Sequence, residues 1–300
     1  MKKDLRSLTL DELQKEMTEI GEAKFRAKQI YRWLHVKYAN EFSEMTDLSE
    51  SLRNKLDENY EIGRVKQVKK LVSKEDNTTK YLFELENNYI IESVFMRYSY
   101  GNTMCISTQA GCRMGCAFCA STIDGVEKSL TPSEMLAQIY EAEKDIGEKV
   151  SGVVLMGSGE PLDNYDNVVN AIHIINNPKG LNIGARHISV STSGLVPKIY
   201  QLADENIQCT LSISLHATNN EKRSGMMPVN NAYPIEELIQ ACKDYIAKTN
   251  RRISFEYALA KDSNDNLDDA KELVKLLKGM LCHVNLIPIN KIENGQYSKS

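Results

Sequence analysis

Gly111-Cys112-Arg113-Met114-Gly115-Cys116-Ala117-Phe118-Cys119 is the stretch on which the fold turns. Its three cysteines follow the spacing C-x3-C-x2-C, and no further cysteine occurs until Cys209. Three thiolates on one short loop can bind three corners of a [4Fe–4S] cube and leave the fourth iron open to a small molecule. The competing readings are a structural zinc site and a set of buried cysteines. A closed zinc site needs four ligands, and the histidine nearest in sequence, His173, stands more than fifty residues away. The other cysteines, Cys209, Cys242 and Cys282, lie in strand or helix patterns and read as small buried hydrophobes.

Around this loop the pattern is α/β. Strand candidates are TMCISTQ just before it, then GVVLM, HISVSTS, CTLSISLHA, RISFEYALA and HVNLIPI. Helices fill the intervals. The first opens at Thr131-Pro132-Ser133-Glu134, where a capping Thr, a Pro at the first helical position and a Glu three residues after the cap form a capping box. Later helices are expected near residues 166–175, 196–205, 235–248 and 266–280. Six strands separated by helices predict a parallel sheet with right-handed crossovers, open or curled toward a barrel. Ligands of such sheets bind at the carboxyl ends of the strands.

Polar residues collect at those ends. Gly157-Ser158-Gly159-Glu160-Pro161 follows the second strand, with two glycines that let backbone approach a ligand and a carboxylate able to accept from an ammonium group. Ser191-Thr192-Ser193-Gly194 ends the third strand, Ser214-Leu215-His216 the fourth and Asn290 the sixth. Singly, each reads as a cap or turn; together, around one cysteine loop, they read as the lining of a polar pocket. His35, His173, His187 and His283 show no such grouping.

The N-terminal part differs. LTLDELQKEM, KFRAKQIYRWLHVKY and LSESLRNKLDENY carry apolar residues at helical spacing, the second with Phe25, Ile30, Trp33 and Leu34 near one face. KYLFELENNYIIESVFMRY reads as a hairpin turning at Glu86-Asn87-Asn88. The expected division is a helical accessory domain at 1–65, a β-hairpin linker at 66–100 and an α/β core at 101–300. Through Lys74 sixteen Lys and Arg face thirteen Asp and Glu, whereas the remainder carries twenty-one against twenty-eight. A mildly basic small domain on an acidic core is compatible with RNA binding despite the overall charge of -4. The sequence lacks a long apolar run and a secretory leader, so a cytoplasmic protein without membrane association is expected.

The cysteine loop after one strand and Gly-Glu-Pro after the next resemble the radical S-adenosylmethionine (SAM) superfamily. The ordered series CISTQAGCRMGCAFC, LMGSGEPLDNYDNV, ISVSTSGLVP, LSISLHA, MMPVNNAYPIEEL and HVNLIPIN, with Glu92 twenty residues before Cys112, further resembles the RlmN/Cfr family of RNA methyltransferases over nearly the whole chain. The resemblance implies a partial (β/α)6 barrel behind an RNA-binding helical domain. It implies that Cys112, Cys116 and Cys119 hold the [4Fe–4S] cluster, that Gly159, Glu160, Ser191, Ser214, Leu215, His216 and Asn290 contact SAM, that Glu92 accepts a proton, and that Cys105 resolves an enzyme–RNA adduct through a transient disulfide. It also implies two SAM per turnover, 23S rRNA and tRNA as substrates, methylation of adenine C2 (the RlmN branch) rather than C8 (the Cfr branch), an electron donor such as flavodoxin or ferredoxin, and action as a monomer.

The family carries the transferred methyl on a cysteine near its C-terminus, and no cysteine follows Cys282 here. The expectation is therefore a piece of a longer protein. The alternatives are a catalytically incomplete form that holds RNA, SAM and cluster, and a radical SAM enzyme for a peptide or small molecule.

Overall fold

The computed structural model describes residues 2–290, 292 and 295–300. In chain order the elements are strand β1 (Lys3–Asp4), helices α1 (Leu10–Glu19), α2 (Lys24–His35) and α3 (Glu50–Asn59), and strands β2 (Tyr60–Glu61), β3 (Lys66–Val72), β4 (Thr79–Glu84), β5 (Ile90–Tyr98), β6 (Gly101–Cys105), β7 (Gln109–Gly111) and β8 (Val126–Ser129). Helix α4 (Pro132–Ile146), strand β9 (Gly152–Leu155), helix α5 (Tyr165–Asn176), strand β10 (Ile188–Thr192), helix α6 (Val196–Asp204) and strand β11 (Thr210–Ser214) follow. Helices α7 (Asn220–Met226) and α8 (Ile235–Thr249), strand β12 (Ile253–Leu259), helix α9 (Leu267–Leu277) and strand β13 (Cys282–Pro288) complete the order. The six strands expected from the sequence are β6 and β9 to β13.

The chain divides into two compact units. The first comprises Met1–Thr108, Leu130–Val153 and Asp166–Gly184. Its N-terminal helices form where the apolar periodicity places them. Thr9 and Glu12 make a reciprocal capping box on α1, which buries Leu10, Leu13 and Met17. Ser49 caps α3, which buries Leu52 and Leu56. Helix α2 corrects one expectation. Its buried face is Ala27, Ile30, Tyr31, Leu34 and His35, whereas Phe25 is 54% exposed and the Trp33 indole N–H donates outward to Asp47 at 2.6 Å. A 3.6-residue period places 27, 30, 31 and 34 on one stripe, 25 on the opposite side of the helix and 33 well off the stripe.

The same unit contains an antiparallel meander, β3-β4-β5-β6. The hairpin expected at Glu86-Asn87-Asn88 joins β4 to β5, with Asn87 and Asn88 at φ +77° and +66°, backbone angles that asparagine tolerates better than most residues. Strand β3 precedes it with all seven residues exposed, so it carries no alternating pattern. Helix α4 has the expected cap at Thr131, with Pro132 in its first turn and Gly147 in the left-handed conformation at its end. It is tied to the N-terminal helices by polar contacts. Tyr38 donates to Glu143 at 2.5 Å, Tyr38 stacks on Tyr140 with centroids 4.4 Å apart, and the Tyr140 hydroxyl lies 2.7 Å from His35 Nδ1.

The second unit comprises Gln109–Ser129, Val154–Tyr165 and Ala185–Ser300. Strands β10, β11, β12 and β13 pair in parallel, in that order, with Val190 opposite Leu211, Ile213 opposite Phe255 and Glu256 opposite Asn285. Parallel neighbours need long crossovers, which α6, the α7–α8 pair and α9 supply. Strands β7 and β8 form a small antiparallel ribbon around the cysteine loop. The sequence pattern runs one strand through Gln109, whereas β6 ends at Cys105 and Gln109 belongs to this ribbon.

His35 makes the first unit sensitive to acid. The ring is fully buried, its Nε2 has no hydrogen-bond partner, and burial, reinforced by the Arg6 charge, holds its pKa well below 6.5. A histidine whose folded pKa is depressed stabilises the fold above its unfolded pKa and loses that contribution as pH falls below it. Unfolding free energy should drop by about 1.4 kcal/mol per pH unit between pH 6.5 and 5. His35→Gln should flatten that slope in urea titrations; an unchanged slope would show that His35 does not set it.

Candidate active site

The cysteine loop leaves the ribbon and returns to it. The Cys112 N–H donates to the Gly125 carbonyl at 2.8 Å, the Cys119 N–H to the Cys116 carbonyl at 3.0 Å, and the Ala117 N–H to the Met226 carbonyl of α7 at 2.9 Å. The Thr122 hydroxyl closes the turn on the Cys119 carbonyl at 2.9 Å. Cys116 packs with Met226, Met227, Val229, Ala258, Ala260 and Ile289, and Met114, Phe118 and Cys119 lie against this cluster. Cys112 and Cys116 are buried and Cys119 is half-buried.

Burial pushes the Cys112 thiol up to about 11, against the pull of the Met114 N–H. It pushes Cys116 up to about 12. Thiols in so dry a place stay protonated at neutral pH unless a metal displaces the proton. Among the described residues no three His, Cys, Asp or Glu side chains gather to hold a single metal ion. The donor set, three soft sulfurs in an apolar shell, fits the cluster.

The Gly157–Pro161 turn is bound to the ribbon through Gln109. The Gln109 N–H donates to the Ser158 carbonyl at 3.1 Å, and its side-chain oxygen accepts the Glu160 N–H at 2.9 Å. Gly159 sits at φ +103°, and a Cβ there would come within 2.6 Å of Gln109 Cβ, so only glycine fits. Glu160 is 4% exposed. Its two oxygens accept the Leu162 N–H at 3.0 Å and the Ser193 N–H at 2.7 Å. Burial raises its pKa while these donors oppose the rise. The sequence suggests a carboxylate able to accept from a ligand's ammonium; in the structure each of its oxygens accepts one backbone N–H.

At the end of β11, Ser214 is half-buried and Leu215 and His216 are buried. His216 has φ +55°. Its Nδ1 accepts the Ala258 N–H at 2.9 Å, and Phe118 meets its ring edge-on at 4.9 Å. Burial, then the Arg223 charge, lowers its pKa to about 3, so the ring is a neutral acceptor at every physiological pH. Ser191 is half-buried on β10 and Asn290 is exposed just beyond β13. The second unit thus brings the three cysteines, Glu160, Ser193 and His216 into one bonded framework.

Glu92 and Cys105 belong to the first unit. Glu92 is exposed on β5 and pairs with Lys80 at 2.8 Å, and its carbonyl accepts the Ser107 hydroxyl at 2.6 Å. Cys105 ends β6 opposite Val94. All seven cysteines are thiols, so the disulfide implied for Cys105 is not supported. Sequence reasoning missed Gln109 and Arg223. Gln109 stood inside a strand pattern. Arg223 stood in a charged segment, Asn-Glu-Lys-Arg, with nothing to signal burial.

Residues 106–277 match the Radical SAM superfamily, and with the three-thiol loop on an α/β scaffold this defines the class as radical SAM. Residues 3–62 match the family described as Ribosomal RNA large subunit methyltransferase N-terminal domain. The chain is 55% identical over 298 residues to the probable dual-specificity RNA methyltransferase RlmN of Clostridium novyi, covering 99% of this chain and 87% of that protein. It is also 55% identical over 297 residues to the protein of the same name from Caldanaerobacter subterraneus, covering 99% and 86%. A crystal structure of a radical SAM methyltransferase from Sphaerobacter thermophilus superposes with a TM-score of 0.93 at 40% identity, over 99% of this chain and 88% of that one. The chain belongs to the RlmN family of radical SAM RNA methyltransferases, and its fold is the radical SAM methyltransferase fold that the motifs implied. No helix among the described residues is long and apolar enough to cross a membrane.

Glu160→Gln tests the framework. An amide presents one acceptor and one donor where two N–H groups converge, leaving one N–H unsatisfied at a cost of about 1–3 kcal/mol. Chemical denaturation should show that loss of stability without any ligand present; unchanged stability would mean that the carboxylate does not brace the turn.

Proposed function

We propose that this protein methylates the C2 carbon of an adenine in 23S rRNA and in tRNA, consuming two SAM per turnover. The observation that carries the proposal is the co-occurrence, in one chain, of the three-thiol loop with an N-terminal segment of the ribosomal RNA methyltransferase family, residues 3–62. The relatives' name, dual-specificity RNA methyltransferase, supports two RNA substrates.

Cys112, Cys116 and Cys119 would hold the [4Fe–4S] cluster. When bound, that group supplies the electron that breaks a carbon–sulfur bond of SAM, with flavodoxin or ferredoxin as the donor class and the enzyme acting as a monomer. The remaining task of the chain is to place SAM and exclude water. Gly159, Glu160, Ser191, Ser214, Leu215, His216 and Asn290 are the proposed SAM contacts. Because the Glu160 carboxylate is held by the Leu162 and Ser193 N–H groups, its part in this reading is to hold the turn whose backbone meets the ligand. His216, kept neutral by burial, adds no positive charge beside a sulfonium. Glu92 is the proposed proton acceptor and Cys105 the thiol that resolves the RNA adduct.

The choice of chemistry suits the target. Adenine C2 is electron-poor and does not attack a SAM methyl group as a nucleophile, whereas a carbon radical adds to it. The base must also leave its stack to reach a buried site, which favours loop nucleotides.

Protein reconstituted anaerobically with iron and sulfide, then given reductant and SAM, should release 5′-deoxyadenosine, and Cys116→Ala should abolish release. Equal release by that variant would remove the cysteine loop from the chemistry. With unmodified 23S rRNA or tRNA added to a full-length protein that carries the family's methyl-bearing cysteine, which is not among these 300 residues, nucleoside mass spectrometry should find 2-methyladenosine; 8-methyladenosine in its place would assign the C8 branch.

A further inference from the structure

Among the described residues of the second unit Arg223 is the largest wholly buried charged side chain, 0% exposed, and no described carboxylate is among its partners. Its Nη2 donates to the Ser193 carbonyl at 2.5 Å and the Ser214 carbonyl at 3.2 Å. Nε donates to the Leu215 carbonyl at 3.2 Å, and Nη1 to Asn230 Oδ1 at 3.1 Å. The guanidinium therefore ties the carboxyl end of β10 to that of β11. The backbone makes room for it: Gly194 sits at φ +111°, and a Cβ there would lie 3.2 Å from Nη2 and 3.1 Å from Leu238.

A planar fork matches these convergent acceptors, but neutral donors would serve them without the cost of burying a charge unpaired with any acid. The location of the charge offers a reason. Arg223 is on α7, and one turn further along, Met226 accepts the Ala117 N–H of the cysteine loop at 2.9 Å. Met226 and Met227 belong to the same buried apolar cluster as Cys116. A [4Fe–4S] cluster held by three thiolates carries net negative charge, and that charge grows by one unit on reduction. Net charge around such a cluster is one determinant of its potential, and inside a dry shell a charge acts with little screening.

We infer that Arg223 is a positioning residue that clamps the ends of β10 and β11 and provides the buried counter-charge for the thiolate-bound cluster, so that reduction of the cluster is easier with it than without it. The inference rests on the cluster assignment above and deepens it.

The test is spectroelectrochemical titration of the reconstituted full chain, with iron and sulfide content measured in parallel. Arg223→Met removes the charge, Arg223→Lys keeps it without the fork, and Asn230→Asp sets a carboxylate against the intact guanidinium and cancels it. The expected result is a shift to more negative midpoint potential in Arg223→Met and Asn230→Asp, with Arg223→Lys close to wild type. If Arg223→Met fails to fold or to load iron, Asn230→Asp decides alone. Failure of both to load beside a fully loaded Arg223→Lys also supports a requirement for charge. Loaded variants sharing the wild-type potential would overturn the inference, as would failure of Arg223→Lys to load, which would make the fork and not the charge the requirement. A wild-type protein that takes up no iron would instead refute the cluster assignment beneath it.

Discussion

The Glu160 carboxylate accepts two backbone N–H groups, from Leu162 and Ser193, while the Glu160 N–H itself goes to Gln109. One residue therefore joins the ribbon that carries the cysteine loop, the glycine turn and the end of β10. A buried carboxylate is stable only with its lone pairs filled, so these three backbone segments cannot drift apart without exposing a charge to an apolar interior. Arg223 repeats the device with opposite sign, filling its donors with the carbonyls of Ser193, Ser214 and Leu215. Ser193 meets both, its N–H on the acid and its carbonyl on the base. The two side chains never touch, yet they fix the same residue from its two polar ends.

The apolar shell of Met226, Met227, Val229 and Ile289 around Cys116 then becomes useful. It excludes water from sulfur donors that would otherwise be oxidised or hydrated, and it strengthens every charge placed near them. A framework of satisfied hydrogen bonds beneath a dry pocket suits an enzyme whose cofactor performs the bond cleavage and whose protein must hold the reactants still.

Much of this was legible in the sequence because residue type and spacing carried it. The C-x3-C-x2-C loop, the cap at Thr131 and the six alternating strands depend on local chemistry and period. What escaped depends on convergence in space. Arg223 lies among Asn, Glu and Lys in the sequence, and the acceptors that converge on it come from Ser193, Ser214, Leu215 and Asn230, which no local pattern brings together. Glu160 was legible as important, but its backbone donors were not, since a sequence does not say which N–H groups will face a carboxylate. Strands β7 and β8, three and four residues long, are too short for a period to show. Phe25 misled because its apolar character outweighed its position, which is on the side of α2 opposite the buried stripe.

The central claim is that the three cysteines hold an iron–sulfur cluster with an iron open to SAM. Electron paramagnetic resonance of the reconstituted, reduced protein, recorded with and without SAM, tests it most directly. The account predicts a [4Fe–4S] signal whose line shape changes when SAM is added. A protein that shows no such signal and contains stoichiometric zinc would contradict it.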